Sequence, residues 1–257
     1  MSTVEKALGI LDLFHTARPS VGLSEAARLL KRDKATVQRY LSALEAQGFL
    51  EQDPLSKAYH LGPAVTRLAA VRNLTYPIEI AARNVLSDLV AKTGETAHLS
   101  HHQKNGLSEI AIVETSIRAT RVYIDPAEIL PFHATASGIA YLSCLDAPER
   151  DEILARALER ITNKTPLDRE SVLALVAQAQ AAGHSVMFGT FEADVVGMAA
   201  PVFDHTDRVC GSVAVATPMS RFDDRVRDCI ALGLNEAAQA ISRLYGARRQ
   251  PVPDAAE

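Results

Sequence analysis

Residues 23–61, LSEAARLLKRDKATVQRYLSALEAQGFLEQDPLSKAYHL, decide the fold of the first part of the chain. They read as a short helix, a turn, a second helix and a two-stranded hairpin. In the second helix Ala35, Val37, Leu41 and Leu44 are core candidates, while Lys34, Thr36, Gln38 and Arg39 project the other way. A helix inserted into the DNA major groove needs one apolar face to hold it and one donor-rich face to read with. The pattern is that of a winged helix-turn-helix, and it points to DNA binding and control of transcription.

Charge supports this only when read locally. The formal net charge is −4, which on its own argues against a nucleic-acid binder. Residues 1–62 carry 8 Lys/Arg against 7 Asp/Glu, and residues 63–257 carry 19 against 24. Within 28–39, Arg28, Lys31, Arg32, Lys34 and Arg39 face a single acid, Asp33. A basic patch on an otherwise acidic chain fits contact with DNA through one face.

Outward from this motif, Ser2 and Thr3 can cap a first helix with apolar positions Val4, Ala7, Leu8, Leu11 and Phe14, ended by Arg18-Pro19. Ser24 is read as the cap of a helix over 25–30, with Ala26, Ala27, Leu29 and Leu30 inward. The second helix runs from Lys34 to about Gln47, where Gly48 stops it. Wing strands are expected at 49–50 and 59–61. Gly62-Pro63 starts a connecting helix with Val65, Leu68, Ala69 and Val71 as its stripe. This gives a DNA-binding domain at 1–62, a linker helix at 63–75, a second domain at 76–246 and a disordered tail at 247–257.

In the second domain the spacing predicts helices over 78–93, 137–145, 148–161, 168–182 and 223–245. Strands are expected at 96–102, 107–114, 120–124, 184–188, 195–203 and 209–217. Strands and helices without strict alternation imply an α+β fold with an antiparallel sheet.

Several function classes are excluded or disfavoured. There is no GxSxG, HExxH, P-loop or GxGxxG with a following acid, so no enzyme and no cofactor is expected. Cys144, Cys210 and Cys229 are far apart and lack metal spacing, which suggests buried, reduced thiols, with a thiol-based redox regulator as the alternative. On a strand His98 and His102 share a face and His101 points away, leaving no third ligand and no metal site. The first residues lack a signal-peptide build, and no apolar run reaches about 18 residues, so a cytoplasmic protein without a membrane partner is expected.

VEKALGILDLF, LSEAARLL, ATVQRYLSALEAQGFL and YHLG resemble the DNA-binding domain of the IclR family of bacterial regulators. TGETAHLS, LPFHATASGIAYLS and GMAAPVFDHTDRVCGSVAVATPMSR are similar to the effector domain of the same family. The resemblance covers about residues 2–245, in order. It implies a GAF-like (profilin-like) six-stranded sheet, a homodimer or dimer of dimers on a pseudo-palindromic double-stranded DNA operator, and a small organic acid as effector. The implied DNA contacts are Ser24, Lys34, Ala35, Thr36, Gln38 and Arg39, with Lys57 and Tyr59 on the wing.

The implied effector site comprises His98, Val122, Thr135, Ala136, Ser137, Gly138, Met187, Ala214 and Ala216. Residues 133–138, HATASG, precede a helix whose first N–H groups suit an anion. The chain departs from the family pattern at five positions. Ile139 stands where a Lys is common, while Met187, Gly197, Ala214 and Ala216 replace the polar residues of small-acid sensors. Two effectors therefore stay open: a 2-oxo acid such as glyoxylate or pyruvate, and an aromatic carboxylate. An architectural DNA-binding protein without a ligand is the remaining alternative.

Overall fold

Residues 3–15 and 17–248 are described by the computed structural model, and contacts divide the chain between Pro77 and Ile78. Ser2 and residues 249–257 of the expected tail lie outside the described residues.

The first unit holds helices α1 (Thr3–Leu8), α2 (Leu23–Leu29), α3 (Lys34–Ala46) and α4 (Pro63–Thr75). Its strands are β1 (Ser20–Val21), β2 (Leu50–Gln52) and β3 (Tyr59–Leu61), which form an antiparallel sheet in the order β1-β3-β2. Strand β1 was not foreseen, because two residues carry no periodicity. The first helix is shorter than expected: it yields to a turn at Gly9 and a 3-10 turn over Leu11–Leu13, as glycine inside a helix is unfavourable. Ser24 is not the cap of α2. Gly22 takes that position in extended conformation, and Ser24 lies exposed in the first turn. Ile10, Val21, Ala26, Val37, Leu41, Leu50 and Tyr59 form the core, each large side chain contributing about 1.5–3 kcal/mol by its burial.

Local chemistry fixes α3. The Asp33 carboxylate caps it by accepting from the Thr36 N–H at 2.8 Å, and that bond holds its carboxyl below the usual range. Gly48 ends the helix at φ +72°. Ala35, expected in the core, is exposed, whereas Tyr40 is buried. At 100° per residue position 35 falls with 34, 38 and 39 on the outer face.

The second unit begins with α5 (Ile78–Thr93), β4 (Thr96–Gln103), β5 (Gly106–Val113) and β6 (Ile129–Leu130). Next come α6 (Ala136–Leu142), α7 (Ala147–Leu154), α8 (Arg169–Ala182), β7 (Ser185–Phe188), β8 (Val195–Phe203), β9 (Val209–Pro218) and α9 (Asp224–Leu244). Its antiparallel sheet has six strands in the order β6-β5-β4-β9-β8-β7. Alternation along β9 and its neighbours splits two cores. Leu99, Met198, Val213 and Val215 pack with Leu86, Leu89, Ile230 and Ile241 of α5 and α9, while Met187, Ala199 and Ala214 face α6 and α8.

Two expectations fail here. Residues 120–124 form no strand, and the edge position is taken by β6. The irregular segment is held instead by Thr96 Oγ1, which donates to the Val122 carbonyl at 3.1 Å, and by Arg221, which donates to the Thr120 carbonyl at 3.0 Å. Helix α7 stops at Leu154, short of 161. The chain beyond it is drawn into other bonds: Arg156 donates to the Lys104 carbonyl and His133 to that of Glu159.

Candidate nucleic-acid interface and ligand cavity

The outer face of α3 presents Lys34, Ala35 and Arg39 exposed, with Thr36 and Gln38 half-buried. Lys31 and Arg32 are exposed in the preceding turn. Positions 34, 35, 38 and 39 lie on one side of the helix, so their donors address one surface. Gln38 Nε2 lies 3.2 Å from Ser42 Oγ and 3.2 Å from the Tyr59 hydroxyl. Tyr59 is 1% exposed, which corrects its reading as a surface residue of the wing. Its ring fills the core and only its hydroxyl reaches the outer face, where it orients Gln38. At the wing tip Asp53 Oδ1 accepts from the Ser56 and Leu55 N–H groups at 2.6 and 3.0 Å, and Lys57 follows, exposed, at φ +60°. The sheet thus offers one cationic wing residue beside the helix.

In the second unit, a cavity of about 80 Å³, open to solvent on one side, lies between the sheet and the start of α6. His98, Val122, Thr135, Ala136, Ser137, Met187, Ala214 and Ala216 all line it. Three contacts fix the segment before α6. Thr135 Oγ1 donates to the Pro131 carbonyl at 2.9 Å, Thr190 Oγ1 to that of Ala134 at 2.7 Å, and Ser185 Oγ to that of Ala136 at 2.7 Å.

Gly138 is the exception among the expected residues, since it does not line the cavity. Its N–H donates to Thr135 Oγ1 at 3.0 Å, and a Cβ there would stand 2.3 Å from the Phe132 carbonyl oxygen. The residue is glycine because backbone passes against it. At Gly197 the missing side chain opens the cavity floor, opposite the Ala136 methyl.

Sequence reasoning missed several wall residues. Ile124, Leu130, Phe191 and Val195 make the lining more apolar, and Glu128 and Glu192 stand at the cavity as well. Both carboxyls are pushed above the usual range, mainly by burial, with Asp125 adding to Glu128 and Glu128 adding to Glu192. Neither Lys nor Arg lines the cavity. The nearest thing to a cation is His98, 7% exposed, whose Nδ1 lies 2.8 Å from Glu109 Oε1. Glu109, a residue that no spacing rule singles out, pairs with it across β4 and β5.

His98 and His102 share a face and His101 the opposite one: His102 stacks on Tyr141 at 4.9 Å, while His101 faces Tyr245 at 6.3 Å. Among the described residues no cluster could hold a metal ion, and no helix is long and apolar enough to cross a membrane. The expectation of buried thiols holds for Cys210, but Cys144 and Cys229 are exposed.

Comparison with known proteins agrees with this architecture. Residues 3–54 match the IclR helix-turn-helix domain, and residues 72–243 match the bacterial transcriptional regulator IclR C-terminal domain. The chain is 28% identical to the HTH-type transcriptional regulator XynR of Escherichia coli over 96% of its length and 98% of that protein's. A solved structure from Silicibacter sp. TM1040, assigned as an IclR transcriptional regulator, is 39% identical and superimposes with a TM-score of 0.83 over 98% of both chains. An IclR homologue from Microbacterium hydrocarbonoxydans complexed with 4-hydroxybenzoate shares the fold at 22% identity and a TM-score of 0.58, over 94% of this chain and 98% of its own. With a basic recognition helix in one unit and a built cavity in the other, the chain belongs to the IclR family of bacterial transcriptional regulators: a DNA-binding regulator, not an enzyme, with a ligand-binding C-terminal domain.

Proposed function

We propose that this regulator senses a small organic acid, an aromatic carboxylate in preference to a two- or three-carbon 2-oxo acid. The observation that carries the reading is the convergence of eight expected residues on one cavity. A pocket with mostly apolar walls and a few placed polar groups suits an organic ligand with one polar end. Leu130, Phe191, Val195 and Met187 match a ring better than pyruvate or glyoxylate. Ser137 and the Ala136 and Ser137 N–H groups at the start of α6 suit the carboxylate, the Gly138 N–H being already engaged by Thr135. The 4-hydroxybenzoate bound by the Microbacterium homologue belongs to the same ligand class.

On the DNA side, Arg39 reads guanine or grips phosphate, Lys34 and Thr36 hold phosphates, and Gln38 suits adenine. Ser24, Ala35 and Lys57 complete the contact surface. A homodimer, paired again into a dimer of dimers, sets two recognition helices in successive major grooves of a pseudo-palindromic operator. Ligand occupancy reaches the operator through α4, and only as far as the ligand prefers one arrangement of the protein.

Thermal-shift measurements with glyoxylate, pyruvate, benzoate and 4-hydroxybenzoate test the reading. A ligand at a hundred times its dissociation constant adds roughly 2.7 kcal/mol of stability. Stabilisation by the aromatic acids is expected. Stabilisation by the oxo acids alone would reverse the preference, and none by any acid would remove the sensor reading.

A further inference from the structure

A carboxylate entering this cavity meets an electrostatic difficulty. No Lys or Arg lines it, and Glu128 and Glu192 stand on its wall. Among the lining residues only His98 can become a cation. Its Nδ1 is turned to Glu109 Oε1 at 2.8 Å, which leaves Nε2 as the nitrogen available to the cavity. The Glu109 side chain is 1% exposed, and its second oxygen, Oε2, is buried without a hydrogen-bond partner among the described residues. Glu109 lines a groove beside the cavity, and Ile124 borders both spaces. The His98–Glu109 pair therefore stands in the wall between them.

Resting on the effector reading above, we propose that His98 and Glu109 form a proton-gated carboxylate receptor, in which binding of the acid's anion is coupled to uptake of one proton by the pair. With one proton, on Nδ1 and shared with Glu109, Nε2 is a bare lone pair that repels a carboxylate. For Nε2 to donate, the pair must carry two protons. Either the imidazolium faces the Glu109 anion, or a neutral imidazole with Nε2–H accepts from a protonated Glu109. Both forms are neutral overall, and the second proton belongs to the pair rather than to either residue.

The other charged groups facing the pair do not supply the missing cation. Arg83, from α5, lies in the groove on the far side of Glu109 and donates to the Ile112 carbonyl at 3.2 Å. Glu114, also in the groove, is paired with Arg121 at 2.7 Å. Tyr123 lines the groove, and Asp125 acts on Glu128. From β9 and α6 the facing residues are Ala214, Ala216, Ala136 and Ser137, none of which titrates. Glu128 and Glu192, both already held above the usual carboxylate range, add repulsion that fades as pH falls.

The test is calorimetric titration of the full chain with 4-hydroxybenzoate between about pH 6 and 8, where imidazoles change charge, in buffers of differing ionisation enthalpy. Uptake approaching one proton per ligand is expected, with affinity falling by up to about tenfold per pH unit as pH rises. Glu109→Gln keeps the side-chain size and stands in for the protonated carboxyl, since its amide can donate to Nδ1 and leave Nε2–H facing the ligand. It should bind 4-hydroxybenzoate at pH 8 at least about tenfold more tightly than the wild type and without proton uptake; uptake of one proton by this variant would overturn the proposal. Glu128→Gln combined with Glu192→Gln should bind more tightly yet keep the uptake; loss of uptake there would place the coupling at the mouth and overturn the proposal. Binding of 4-hydroxybenzoate without proton uptake, or equally tight binding of 4-hydroxybenzamide, would overturn the dyad while leaving the cavity as the effector site. Failure of 4-hydroxybenzoate, pyruvate and glyoxylate all to bind would overturn the dyad together with the acid reading.

Discussion

Arg221→Ala should damage stability and ligand binding together. Arg221 meets the Glu95 carboxylate with Nε and Nη2 at 2.9 and 2.8 Å, and Nη2 also donates to the Thr120 carbonyl. Glu95 is 2% exposed while Arg221 keeps a side-chain exposure of 24%. Removing one partner of a buried pair costs about 3–5 kcal/mol, because the other charge is left uncompensated. Partial exposure of Arg221 lets water reach the orphaned carboxylate, which puts the cost at the lower end, about 3 kcal/mol. For a unit of this size each kcal/mol moves Tm by roughly 2–4 °C, so a fall of about 6–12 °C is expected in a thermal melt. The Thr120 bond also holds the segment that carries Val122 and Ile124 into the cavity, so ligand affinity should drop as well. Glu95→Leu combined with Arg221→Met removes both charges and should cost less than the two single changes added together. A Tm within about 2 °C of wild type for Arg221→Ala, or a double variant worse than that sum, would refute the account.

Three further outcomes follow from the geometry. Arg39→Ala should weaken operator binding by about 1–3 kcal/mol at each half-site with unchanged circular dichroism; unchanged affinity in a gel shift would end its assignment as a reading residue. Gly138→Ala forces a Cβ against the Phe132 carbonyl and should cost about 1–3 kcal/mol in denaturant unfolding through overpacking; a neutral result would mean that the backbone there yields freely. Burial pushes the Cys210 thiol up to about 12, so it stays protonated at neutral pH. Mass spectrometry should find Cys144 and Cys229 alkylated in the native protein and Cys210 only after unfolding.

The sequence revealed those elements whose ends carry their own chemistry. Asp33, Asp168 and Asp223 each cap a helix by accepting an N–H three residues on, and Gly48, Gly94 and Gly183 end helices at positive φ. These signals are local, so α3, α5, α8 and α9 are legible from the residues alone. The errors arise where tertiary contacts override a pattern. The alternation of 120–124 looks like a strand, but its carbonyls are engaged by Thr96 and Arg221. A three-residue strand is too short to show that Tyr59 points into the core while Leu61 is 46% exposed. Glu109 reaches His98 only because the two strands pair with a register shift between Leu99 and Ser100, a bulge that no spacing announces. Glu128 and Glu192 come to the cavity from irregular segments, where periodicity says nothing about which way a side chain points.

The central claim, that occupancy of this cavity controls DNA binding, is tested most directly by fluorescence anisotropy on an operator that the protein itself selects from random duplexes. 4-Hydroxybenzoate would be titrated into the complexes of wild type and of Ala216→Phe, which fills the cavity from β9. The account predicts that both proteins bind the operator, and that the acid changes affinity for the wild type alone. An equal response from both proteins would contradict it.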